Sequence, residues 1–245
     1  MSESTTGRRK NLSHKITELL AEEILSGKLP PGSRLLPERE LSVRFGTNRN
    51  TLREAIRNLE NLHLVSARQG DGMKVLDWTR QGEVTLLPWF LQHTRDLEAS
   101  RKVVEDFLRL RRLMVVDVCG RLAETAGREE LNAVLELVRS QRGNLGNPEQ
   151  LVRTDLDIML GLMRAAHRMA YLWSFNTMVR LYVNAVFSFP DLWVFVPGYV
   201  DSLESVLLAA LDGDSSTAAS RMDRHLRESD RLIMEAVRNF QTLLE

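Results

Sequence analysis

The sequence predicts a mainly α-helical protein in two parts. A small N-terminal unit of three helices ends in a β-hairpin, and a C-terminal all-α bundle of six or seven helices follows. Three observations predict this. Up to about residue 62, apolar residues recur at helical spacing in short segments. The run "LVSARQGDGMKVL" (64–76) then switches to short extended segments around a Gly-Asp-Gly turn. From about Thr85 onward there is no strand signal, only long helical stretches punctuated by Gly and Pro.

Each element follows in order. Residues 2–11 are polar and basic and read as a disordered leader. "LSHKITELLAEEILSG" (12–27) has apolar residues at 12, 16, 19, 20 and 24, a one-sided stripe that Gly27 ends. "LPPGSRLLP" (29–37) cannot be helical through its prolines and reads as a connector. A second helix is expected from about Glu38 to Phe45, with Leu41 and Phe45 inward, and Gly46 permits the turn after it. Asn48 is the expected N-cap of a third helix that buries Leu52, Ile56 and Leu59. Residues 11–76 thus form one domain, 77–84 a linker, and 85–245 the helical domain. Its expected helices are 97–126, 128–143, 148–170, 171–189, 197–211 and 214–244, separated at Gly127, Gly146–Pro148, Pro190, Pro197 and Gly213.

At 245 residues and 43% hydrophobic, the chain can bury a sizeable core. Formal net charge is zero, which excludes a uniformly polyanion-binding surface. The charge is unevenly spread, however. Residues 1–80 hold 14 basic and 10 acidic side chains, and the remainder holds 19 and 23. Cys119 is the single cysteine, so no internal disulfide or cysteine-based zinc cluster can form. No apolar run approaches bilayer length, and "GRRK" has no apolar segment behind it. A cytoplasmic location without membrane contact is expected.

The first chemistry lies in "FGTNRNTLREAIRNLE" (45–60). Arg49, Asn50, Arg53 and Arg57 fall on the face opposite Leu52, Ile56 and Leu59. In a helix-turn-helix, the start of the second helix meets base edges in the major groove. Arginine can donate two parallel bonds to guanine, and asparagine pairs with adenine. Thr51 and the first free N–H groups suit a phosphate, and Arg39 can reach a neighbouring one. Arg68, Gln69 and Gly70 form a hairpin "wing" beside them. The alternative is a solvated charge row. Against it, the basic residues crowd the turn and first half of the helix, where acidic partners are sparse.

These residues carry a resemblance. "ILSGKLPPGSRLLPERELSVRFGTNRNTLREAIRNLENLHLVSARQGDGMKV" resembles the winged helix-turn-helix of the GntR family of bacterial transcription regulators. The all-helical remainder looks like that family's FadR-type subfamily. The resemblance implies operator contacts at Arg39, Asn48, Arg49, Asn50, Thr51, Arg53, Gln69 and Gly70. It also implies a homodimer, which two-fold operator geometry favours independently. A regulator, in all expectation a repressor, is implied, and its helical domain would bind a small effector. The alternative is a helical domain without a ligand, serving a constitutive DNA-binding or adaptor module.

Many FadR-type domains hold a divalent metal with one Asp and three His. Here Asp155 matches the Asp and His225 the last His, but Met159 takes the first His position and Leu203 or Glu204 the middle one. Two ligands of four, with a soft thioether beside them, make a poor metal site, so no cofactor is expected. Asp155 and His225 read instead as a buried pair or polar groups lining a pocket. Arg112, among Arg109, Arg111 and Arg112, is the candidate clamp for an effector carboxylate; a surface salt-bridge row is the alternative. "RTDLDIMLGLMRAAHRMAYLWSFNTMVRLY" also resembles the subfamily's metal-free, acyl-CoA-binding members, so the effector is expected to be a carboxylate metabolite or an acyl-CoA. Trp173, Phe175, Phe187, Phe189, Trp193 and Phe195 would suit an apolar pocket or, equally, a bundle core. No phosphate loop, metalloprotease helix or nucleophile elbow is present, so no enzyme activity is expected.

Overall fold

A computed structural model describes residues 3–68, 72–188 and 194–242. The chain divides into two compact units, Met1–Ser100 and Arg101–Glu245.

The first unit begins with α1 (Glu3–Leu25), followed by α2 (Glu38–Arg44) and α3 (Arg49–Asn61). Residues 3–11, expected as an irregular leader, are helical and continue into α1, because no proline interrupts them. Ile16, Leu20 and Ile24 of α1, Leu41 of α2 and Leu52, Ile56 and Leu59 of α3 form the buried centre. Polar pins fix the packing. Thr17 is buried; its hydroxyl donates to the Ser13 and Ala55 carbonyls and accepts from Asn58 Nδ2 at 3.3 Å. Glu23 of α1 accepts from Arg44 of α2 and from Lys28. The Arg44 guanidinium holds the Glu23 carboxyl below its usual range. Phe45, expected inward, is only half-buried, and that guanidinium lies 4.9 Å from its ring centre.

Strands β1 (Val65–Arg68) and β2 (Gly72–Val75) pair antiparallel, with Val65 opposite Val75 and Arg68 opposite Gly72. The connector is more ordered than its prolines suggest. Gly32 and Leu35 donate N–H bonds to Val75 and Met73 carbonyls at 2.9 Å, and Val75 returns one to Ser33. The segment thus adds a third, partial strand beside β2, with Arg34 opposite Lys74.

Within the expected linker, α4 (Trp78–Gln81) is a single turn. A 3₁₀ turn (Val84–Leu86) and α5 (Leu87–His93) follow, and α5 packs on α1. Leu86, Leu87 and Phe90 are buried, and the Trp78 and Phe90 rings lie 5.4 Å apart. By contacts, then, the first unit reaches Ser100 and includes the segment expected to open the helical domain.

Six helices complete the chain among the described residues. They are α6 (Leu97–Thr125), α7 (Arg128–Ser140), α8 (Pro148–Ala165), α9 (Met169–Ser188), α10 (Tyr199–Leu211) and α11 (Ser215–Thr242). The core is continuous from Val115, Val118 and Leu122 of α6 to Ile158 and Leu162 of α8, Leu203 and Val206 of α10, and Met222 of α11. Gly161 allows α8 to approach α7: a Cβ there would lie 2.8 Å from Val134 Cγ2. The expected helix 148–170 is broken after Ala165. His167 adopts φ +52° and its Nε2 lies 3.0 Å from Glu130 Oε2, so the chain reverses before α9. Pro190, an expected breaker, lies outside the described residues. No helix among the described residues is long and apolar enough to cross a membrane.

Candidate nucleic-acid interface and ligand cavity

Helix α3 starts where Gly46 turns the chain at φ +57°. Asn48 is its N-cap: Oδ1 accepts from the Thr51 N–H at 3.0 Å and from the Thr51 hydroxyl at 3.2 Å. This corrects the expected role of Thr51. Its side chain is 3% exposed and committed to the cap, so it cannot meet a phosphate. Arg39, Asn48, Arg49, Asn50, Arg53 and Arg57 are exposed. Arg53 pairs with Glu38 at the start of α2, Nε to Oε2 3.1 Å. Arg39, Arg49 and Arg57 have no ion-pair partner among the described residues. Glu60, one of the few acidic residues nearby, is turned to the wing, where it accepts from the Ala67 N–H at 3.1 Å. The result is a helix whose buried face is apolar and whose free face presents uncompensated cations.

Gln69 and Gly70 lie outside the described residues. Lys74 was not singled out from the sequence. It is exposed, opposite Arg34 on the small sheet, so it adds positive charge to the wing. Strand alternation supplied the signal: Met73 and Val75 are buried, which turns Lys74 outward.

In the second unit, Asp155 and His225 line one cavity of about 60 Å³, together with Arg111, Met159, Phe175 and Tyr199. Tyr199 donates its hydroxyl proton to Asp155 Oδ1 at 2.5 Å. The Tyr199 ring meets Phe195 edge-on at 5.4 Å and His225 at 5.7 Å. His225 Nδ1 lies 3.0 Å from Ser202 Oγ. Burial, with the Arg111 charge adding, pushes the His225 pKa down to about 4, so the ring is neutral at pH 7. Burial raises the Asp155 carboxyl, and the Tyr199 bond and the Arg111 charge oppose that rise.

Arg112 does not face this cavity. It holds Asp230 and, at 3.7 Å, Asp223 on the side toward α11. Arg111 takes the place expected of it: one Nη bonds Asp230 at 2.6 Å, while its buried Nε has no partner. Arg111 and Arg112 lie about 100° apart on opposite flanks of the inward stripe of Leu108, Val115 and Leu122, one toward the cavity and the other toward Asp223 of α11. Of the aromatic candidates, Phe175 and Phe195 line the cavity and Trp173 is exposed. The side chain of Phe187, with Phe189 and Trp193, lies outside the described residues.

The donor set does not fit the four-ligand metal site that the resemblance suggests. The cavity offers one carboxylate and one imidazole, with the Met159 thioether beside them. Leu203 is buried in the core, and Glu204 turns outward to Arg139 and Arg142. Among the described residues no group of three or more His, Cys, Asp or Glu is placed to hold a metal.

Comparison with known proteins agrees with this geometry. Residues 12–75 match the family described as bacterial regulatory proteins, gntR family. The HTH-type transcriptional regulator Mce2R of Mycobacterium tuberculosis is 36% identical over 41% of this chain and 43% of its own, so that match spans less than half of either protein. An uncharacterized HTH-type transcriptional regulator of the same species is 28% identical over 94% and 93% of the two chains. The fatty acid metabolism regulator protein of Klebsiella pneumoniae is 26% identical over 79% and 80%. A solved structure of Lar, described as controlling the agr system of Listeria monocytogenes, shares the fold: TM-score 0.54, 16% identity, 91% and 96% coverage. The exposed arginines, the turn at Gly46 and the hairpin strands all fall inside the matched segment, so the similarity to the gntR family of bacterial regulatory proteins rests on residues 12–75.

Proposed function

We propose that the protein is a sequence-specific transcription regulator of the cytoplasm, a homodimeric repressor whose affinity for operator DNA falls when a small effector enters the helical unit. The observation that carries this reading is the exposed face of α3, where Arg49 and Arg57 have no acidic ion-pair partner among the described residues and exposed Asn50 lies beside Arg49 in the first turn. Such a face has no role in the fold and suits base edges and phosphates. One such helix reads only a few base pairs, and two-fold symmetry doubles the site.

The cavity supports the effector half of the reading. It is mostly apolar, with one cation, one carboxyl and one neutral imidazole converging on it. At about 60 Å³ it holds a few waters and no drug-sized molecule, so binding requires Met159 and Met178 to move. A compact carboxylate held by Arg111 fits this better than a long acyl chain, and the donor set supports a site without metal.

The test has two steps. Duplexes selected from a random pool by the purified protein are expected to share a two-fold symmetric sequence. Small carboxylates are then screened for release of that duplex. Selection of no common sequence would overturn the regulator reading, and a bound duplex that no ligand releases would overturn the effector part alone.

A further inference from the structure

We propose that Glu38 is a positioning residue for base reading: its carboxylate holds Nε of Arg53, so that the two Nη groups of that guanidinium meet one guanine of the operator. This rests on the DNA-binding reading and adds to it a residue that touches no base itself.

Arg49, Arg53 and Arg57 follow one another at intervals of four residues, so they form one stripe within an arc of about 80° on the exposed side of α3. The stripe is not uniform. Arg49 and Arg57 have no ion-pair partner among the described residues, whereas Arg53 is tied to the start of α2. Its Nε donates to Glu38 Oε2 at 3.1 Å and to Glu38 Oε1 at 3.3 Å. Neither Nη of Arg53 has a hydrogen-bond partner among the described residues.

The pair does little for the fold. Arg53 is 58% exposed and Glu38 37%, and an ion pair so open to water contributes little to stability. It also weakens general attraction to DNA, because a carboxylate on a phosphate-facing surface cancels one of its cations. What it supplies is direction. An arginine side chain free in water samples many rotamers and loses that freedom when it binds. Here Nε is held from one side, so the far edge of the planar guanidinium, with both Nη groups, points away from the carboxylate. Two parallel N–H donors on that edge match the O6 and N7 acceptors of guanine in the major groove. The flanking arginines lack such a guide.

The test measures base preference rather than affinity alone. The duplex selected by the wild-type full chain is remade with each G·C pair of a half-site replaced in turn by A·T. Dissociation constants are measured by fluorescence anisotropy for the wild type, E38A, R53A and E38A/R53A. Preference is the ratio of two dissociation constants of one preparation, so a misfolded fraction cancels from it. In the wild type one G·C pair is expected to be worth roughly tenfold or more, and R53A to level that preference to within about threefold. E38A is expected to reduce the same preference by about fivefold, at that pair and no other. It should bind an unrelated duplex as tightly as the wild type does, or up to about threefold more tightly, because a negative charge is gone. E38A/R53A is expected to match R53A, since without the arginine there is nothing to position. E38A with the wild-type preference at every pair, or R53A with every preference intact, overturns the proposal. So does a preference that E38A changes further in the R53A background, because Glu38 would then touch a base itself. Each of these leaves the regulator reading standing, whereas a wild type that selects no common duplex overturns both.

Discussion

His225 is buried and neutral in the folded protein, with a pKa of about 4 against about 6.5 in an unfolded chain. Between those values the unfolded state binds more protons, so folding stability falls as pH drops through this window. The group contributes its full share above about pH 6.5 and loses about 2 kcal/mol of it by pH 5. The buried carboxyls of Asp155 and Asp230 are shifted upward and act in the opposite sense as pH rises. A comparison with His225→Asn isolates the imidazole. Denaturant unfolding at pH 7 and 5 should show the wild type losing about 2 kcal/mol more than the variant; equal losses would mean that the imidazole is not buried neutral. At this scale the sequence was informative where chemistry is local. Asn48 was legible as a cap, because a short polar side chain before an apolar periodic run has one economical use. Thr51 was misjudged because a hydroxyl at the fourth position of a cap can turn inward to the cap itself. Arg111 and Arg112 are adjacent and flank Leu108 and Val115 by equal angles, so helical phase alone did not tell which of them reaches the cavity; the packing of α6 in the bundle decides it.

Among the elements, α8 depends on a missing side chain. Gly161 lies so near Val134 of α7 that a Cβ would sit 2.8 Å from its methyl, inside contact distance in a packed core. Gly161→Val should destabilise the protein by about 2–3 kcal/mol, and adding Val134→Ala should recover at least about half of that. A double variant no more stable than the single one would place the strain elsewhere. Helices α2 and α3 were legible from periodicity and from the turn at Gly46 and the Asn48 cap, because each has one apolar face and a marked start or stop. Two elements were not. The partial strand at Gly32–Leu35 makes its bonds to a strand some forty residues on, and prolines concealed it. The end of α8 at Ala165 follows from a single left-handed residue, His167, within a run of good helix formers.

For the whole molecule, the two units carry different chemistry, as the uneven charge suggested. The first presents free cations on a rigid helix. The second has its polar groups converging on a small apolar cavity. The division was visible in composition, while its boundary was not: α5 is apolar enough to have been assigned to either unit, and packing on α1 decides it. The central claim concerns the outward face of α3, and one titration tests it most directly. Binding of the selected duplex is followed by fluorescence anisotropy at several salt concentrations for the wild type, Arg49→Ala and Arg57→Ala. Both substitutions lie on exposed positions away from the core. The account predicts a loss of affinity of about tenfold or more for each, with a salt dependence shallower by about one counterion where a phosphate contact is removed. Unchanged affinity and an unchanged salt slope in both variants would contradict it.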